Sequence, residues 1–189
     1  MASNQSEQLS GLISAANEIT NETRAVFGNL SAQQLNWKPD ASQWSVAQCI
    51  DHLLTSNAAY SPIFETVLNG EKKNTFWESL PVLPAVWGNM LIKALDPKST
   101  RKLKAPKVFH PSTSSIDQAV IPRFIDQQSQ IIKYLKASEN LALEKIIISS
   151  PVTRFITYSL IDAYRIIVTH EKRHILQAAR VTGMEDFPN

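Results

Sequence analysis

The chain has 189 residues, 43% of them hydrophobic and 19% charged, with a formal net charge of +2. That is enough for one sizeable core in one domain (1–189) and gives no electrostatic case for nucleic acid or a membrane surface. Cys49 is the only cysteine, which excludes an internal disulfide, and the polar start Met1 to Ser10 does not read as a secretory leader, so a cytoplasmic protein is expected.

Glycine is scarce and no strand-like alternation is sustained, which predicts an all-α fold. A first helix is expected over about Gln5 to Phe27, with Leu9, Leu12, Ile13, Ala16, Ile19, Thr23 and Val26 at helical spacing and Gly28-Asn29 closing it. "SAQQ", Ser31 to Gln34, reads as a single capped turn. Ser45 and Gln48 form an S-x-x-Q capping box, with Trp44 and Cys49 placed for a hydrophobic staple. The helix that follows carries Val46, Ile50, Leu53, Tyr60, Phe64 and Val67, bends at Pro62 and ends at Asn69-Gly70.

Residues 71–111 are proline-punctuated and longer than an ordinary connection, so they are expected to form a crossover insert with one helix at about Pro84 to Leu95. Its apolar stretch "LPVLPAVWGNMLIKAL" is too short and too interrupted to span a bilayer. Trp77, Trp87 and Phe76 in it either wall a ligand or pack the connection onto the bundle. The basic run Lys98, Arg101, Lys102, Lys104 and Lys107 reads as a solvated loop. A third long helix is expected over about Ser115 to Ala137 with a bend at Pro122, then a loop around Ile146 to Ile148, then a last helix over about Thr157 to Thr182 stopped by Gly183. Four long amphipathic helices and one long crossover make a four-helix bundle with non-sequential neighbours.

The last helix contains "IVTHEKRHILQ", in which His170, Glu171 and His174 match H-E-x-x-H. Four helical residues turn through about 400°, so the two imidazoles lie roughly 40° apart and about 6 Å along the axis, within reach of one ion. They fall in the core-facing row Ile156, Leu160, Ala163, Ile167, His170, His174, Gln177, Val181. Glu171 belongs to the adjoining row Ile161, Tyr164, Val168, Glu171, Ile175, Ala178, whereas Arg165, Lys172 and Arg173 take the solvent side. Buried imidazoles need partners, and a divalent cation is one solution; satisfied structural histidines are the other. A zinc peptidase does not fit, because the 15 residues after His174 offer no third ligand at the expected spacings and no strands are expected to flank a cleft.

Upstream, His52 shares a face with Cys49, Ser56, Ala59 and Ile63 and can point into the bundle, either as a structural histidine or as a third ligand. His110, in a loop, faces solvent or approaches as a fourth ligand. Glu171 is the best available proton acceptor, or else the partner of a salt bridge with Arg165, Lys172 or a neighbouring helix. Cys49 reads as a small buried hydrophobe as readily as a neighbour of the metal, and Gln177 as a partner of metal-bound water or a core residue.

"LNWKPDASQWSVAQCIDHLLTSNAAY", "APKVFHP" and "HEKRHILQAARV" resemble, in order, segments of the DinB/YfiT-like superfamily. The resemblance implies a four-helix bundle in which His52, His170 and His174 bind zinc or nickel. It also implies a thiol-dependent transferase or hydrolase acting on a small molecule with a low-molecular-weight thiol, and a homodimer. A non-catalytic metal and ligand-binding module, or a purely structural metal site, would use the same bundle.

Overall fold

In the computed structural model, described for residues 2–80, 83–99, 105–113 and 115–188, helices dominate. α1 (Ala2–Phe27) buries Leu9, Ala16, Ile19, Thr23 and Phe27. Val26, expected on this stripe, is 39% exposed, because the buried row steps four residues from Thr23 to Phe27. Gly28 closes α1, its N–H donating to the Arg24 carbonyl, against which any Cβ at this position would collide.

The two predicted capping boxes are both formed. Ser31 opens α2 (Ala32–Asn36) with Gln34, and Ser45 opens α3 (Val46–Ala58) with Gln48. In each, the serine oxygen accepts from the third amide and the glutamine oxygen accepts from the cap's own N–H. The single bent helix expected after Ser45 is instead two helices: α3 stops at Ala58 and α4 (Ser61–Leu68) begins with Pro62 in its first turn. Pro62 has no N–H for the Ala58 carbonyl and its ring crowds that turn, so the helix breaks and restarts where proline is tolerated. Gly70, at φ 72°, ends α4 in the left-handed region that favours glycine.

The crossover contains a 3-10 turn (Trp77–Ser79), α5 (Leu83–Leu95) and a second 3-10 turn (Lys107–Phe109). α5 packs on α7 (Leu160–Thr182) and on the strand that precedes it. Of the basic run, Lys98 and Lys107 are exposed, as expected; Arg101, Lys102 and Lys104 lie outside the described residues, as does Pro81.

α6 (Val120–Ala137) starts later than expected, and Pro122 stands in its first turn, where no intrahelical N–H bond is lost and no bend is required. The isoleucine-rich segment is not a loop. Residues 147–149 form β1 (Ile147–Ser149), paired antiparallel with β2 (Thr157–Ser159), with Ile148 opposite Tyr158. β-branched and aromatic side chains suit this pairing, and burial of Ile148 and Tyr158 beneath the hairpin rewards it. The last helix therefore begins at Leu160, capped by Ser159, and ends at Gly183 as expected.

α1, α6, α3 and α7 close into a four-helix bundle in that spatial order, so that α1 and α3 lie diagonally, as do α6 and α7. This is the architecture read from the sequence, with the hairpin added. Two core clusters fill it. One gathers Phe27, Ile50, Leu53, Phe124 and Ile175; the other gathers Phe64, Leu135, Ile148, Tyr158 and Tyr164. Each such side chain contributes roughly 1.5–3 kcal/mol on burial. α7 touches α1, α3 and α5, and it buries Ile166 as well as most of both predicted rows, with His170 and Gln177 half-buried.

Candidate metal centre

The capping box at Ser45 fixes the start of α3, and two turns later α3 presents His52, only 2% exposed. Facing it, α7 presents His170 and His174 at their four-residue spacing, half-buried and buried respectively. His52 Nε2 and His170 Nε2 stand 3.0 Å apart. The ligand atoms of His52, His170 and His174 all lie within 4.8 Å of one another. Two nitrogens 3.0 Å apart, as on His52 and His170, can each sit about 2.0–2.1 Å from one ion.

The far side of His52 is also held. Its Nδ1–H donates to the Phe109 carbonyl at 2.6 Å, which fixes the tautomer and leaves Nε2 as the lone-pair nitrogen aimed at the cluster. Phe109 belongs to the 3-10 turn of the crossover, so this loop sets a ring 57 residues away. Trp44 leans on two of the rings: its indole stacks on His174 at 5.6 Å and 22°, and tilts against His52 at 5.0 Å.

Burial drives the electrostatics. It holds His52 below the ordinary imidazole value, although the Phe109 bond works the other way. His174 is pushed down to about 3 by burial, then by His52 and Arg173, with Gln177 opposing. His170 lies well below the ordinary value for the same first reason, reinforced by His174, His52 and Arg173. All three imidazoles are therefore neutral near pH 7, with lone pairs available to a cation. His174 Nδ1 is buried with no hydrogen-bond partner. A fixed Nε2 on His52 and three converging neutral rings fit a divalent metal, the kind of ion this donor set suits. No fourth His, Cys, Asp or Glu joins the cluster among the described residues, so a bound ion would keep a position open to an exogenous ligand.

A DinB superfamily model matches residues 17–178, a span that includes all three histidines. The chain belongs to the DinB superfamily. No curated protein and no solved structure matches it. This DinB superfamily member carries its histidine cluster on α3 and α7, the second and last long helices of the bundle.

The other candidates separate. His110 is exposed and its ring Nε2 bonds the Ala105 carbonyl at 3.0 Å, so it is not a fourth ligand. Cys49 is fully buried in the core, and burial pushes its thiol up to about 12. Among the described residues Glu171 makes no salt bridge, to Arg165, Lys172 or a neighbouring helix. Its Oε1 accepts from Asn57 at 2.7 Å and from Gln128, which joins α7 to α3 and α6 in the core. Burial lifts its carboxyl to about 8 against those two bonds, and its Oε2 has no partner.

Sequence reasoning did not foresee the parts that five residues play in and around this centre. Phe109 acts through a backbone carbonyl, which side-chain identity does not reveal. Trp44 read only as a staple. Gln128 falls at inward helical spacing with Phe124 and Ile131, but neither its partner nor that of Asn57 was legible. Arg173, placed on the solvent side, donates to the Asp96 carbonyl at 3.0 Å and so ties α7 to the end of α5.

Among the described residues no helix is long and apolar enough to cross a membrane. Two surface clefts, of about 390 and 550 Å³, adjoin the buried Glu78, and neither is lined by a histidine of the cluster.

Proposed function

We propose that this chain is a metal-dependent enzyme in which His52, His170 and His174 hold one divalent ion, zinc or nickel. It would act in the cytoplasm, as a homodimer, on a small molecule with a low-molecular-weight thiol, as a transferase or hydrolase. The observation that carries this reading is the convergence of three neutral imidazoles with no fourth protein ligand among the described residues. Such an ion supplies Lewis acidity and brings the pKa of a bound water or thiol toward neutrality. The thiol class rests on the family resemblance alone.

The chain's own residues have definite parts in this reading. The Phe109 carbonyl orients His52. Burial keeps the ligand nitrogens unprotonated. Glu171 is the acid–base group: Asn57 and Gln128 fix Oε1, while Oε2 carries the exchangeable proton near neutral pH.

Elemental analysis of tag-free protein tests the site. About one divalent ion per chain is expected in the wild type and little in H170A, and a metal-free wild type would end the proposal. Thiol transfer to an electrophile, assayed with and without metal, tests the reaction. A second reading, a non-catalytic metal and ligand-binding module, draws on the two clefts that lie apart from the histidines. Metal-loaded protein that binds thiol without turnover would favour it.

A further inference from the structure

Metal-ligating imidazoles are normally held by a second hydrogen bond, which sets the ring plane and the nitrogen presented to the ion. His52 has such a bond, to the Phe109 carbonyl. His174 is different. Its Nδ1 is buried without a hydrogen-bond partner, and its ring meets those of His52 and His170 edge-on, with centroids 4.7 Å apart in both contacts. Gln177 approaches this ring, and the indole of Trp44 covers its face, 22° from parallel with centroids 5.6 Å apart.

Trp44 is itself well fixed. It immediately precedes Ser45, whose box with Gln48 sets the first turn of α3, and it packs against the core cluster containing Cys49 and Ile50. The same helix start therefore places Trp44 and, two turns on, His52, and the indole touches both rings.

We infer that Trp44 is a positioning residue of the metal centre: its indole face does for His174 what the Phe109 carbonyl does for His52. An imidazole bound to a cation loses electron density, and the negative face of an indole attracts an electron-poor ring more strongly than a neutral one. The stack should thus favour the metal-bound form over the metal-free form, in addition to fixing the ring. Phenylalanine keeps a weaker face of this kind, and leucine keeps bulk with none.

This inference deepens the metal reading above and rests on it for affinity, but the ring-orienting part stands without metal. The test is cobalt(II) titration of wild type, W44F and W44L followed by ligand-field absorption, together with imidazole proton–nitrogen spectra of the metal-free proteins. W44L should bind cobalt about tenfold more weakly with a shifted band, W44F should fall between it and the wild type, and the metal-free His174 signals should move in W44L while the His52 Nδ1–H signal stays. Wild-type protein labelled with 5-fluorotryptophan keeps the shape but drains the indole face, and should lose about two- to threefold in affinity; it decides the matter if W44L does not fold. Unchanged affinity and band in both W44L and the fluorinated protein would overturn the inference. If the wild type takes up no cobalt, the metal reading fails by itself, and unmoved His174 signals in the metal-free variants would then overturn this one separately.

Discussion

His52 and His170 meet Nε2 to Nε2 at 3.0 Å although 118 residues separate them in the chain. One nitrogen of this pair is fixed as an acceptor, because the other nitrogen of His52 is committed to the Phe109 carbonyl. The contact spans α3 and α7, adjacent helices of the bundle, so anything that loosens their packing should be felt at the cluster.

His52→Ala should remove one of three ligands and the anchor point of the crossover together. Metal affinity is expected to fall at least tenfold, since losing an outer-shell partner alone costs about that much. The thermal shift on adding zinc, clear in the wild type, should largely disappear. Calorimetric titration and melting curves with and without metal check this, and an undiminished affinity would show that His52 is not a ligand.

Metal-free protein should lose stability in acid. Each imidazole of the cluster has a folded-state value below its unfolded one, so the unfolded chain binds more protons below about pH 6.5, and stability falls as pH falls through that point toward the depressed folded values. For His174, lowered from 6.5 to about 3, the loss at pH 5 is on the order of 2 kcal/mol. Urea midpoints of the metal-free protein at pH 7 and pH 5 should differ in that direction, and saturating metal should raise both without removing the difference, because the folded imidazoles carry no proton for it to displace.

Glu171→Gln should have the opposite pH signature. The carboxyl is raised from 4.5 to about 8 in the folded state, so the fold binds an extra proton between those values and the wild type loses stability as pH rises through them. The variant lacks this loss and should gain on the wild type by roughly 1.4 kcal/mol per pH unit at most across that window. Its amide also brings donors to the place of the unpartnered Oε2. Denaturation at pH 5 and pH 8.5 checks the stability claim, and a separate loss of turnover would support the acid–base role.

Ser45→Ala should cost about 1 kcal/mol, because the Gln48 amide loses its acceptor at the start of α3. Since that start also carries Trp44 and His52, metal affinity should weaken with it, whereas the equivalent Ser31→Ala in α2 should cost similar stability and leave metal affinity unchanged. Equal metal binding in both variants would sever the cap from the centre.

The helices and the His170–His174 spacing were legible in the sequence because they depend on contacts within about four residues: capping boxes at Ser31 and Ser45, periodic apolar rows, Gly70 and Gly183 at the ends. Pro62 and Pro122 were read as bends; each proved to stand in the first turn of a helix, a difference set by where a helix begins and not by proline itself. The inward face of His52 could be read, but its convergence with the other two histidines was carried by resemblance. What only the tertiary structure decided is every partnership across distant segments: the Phe109 carbonyl on His52, the indole of Trp44 on His174, Asn57 and Gln128 on Glu171, and the hairpin that replaced a loop. Periodicity states which side of a helix is buried, but the choice of neighbour depends on how whole helices pack, and that packing energy belongs to no single stretch of chain.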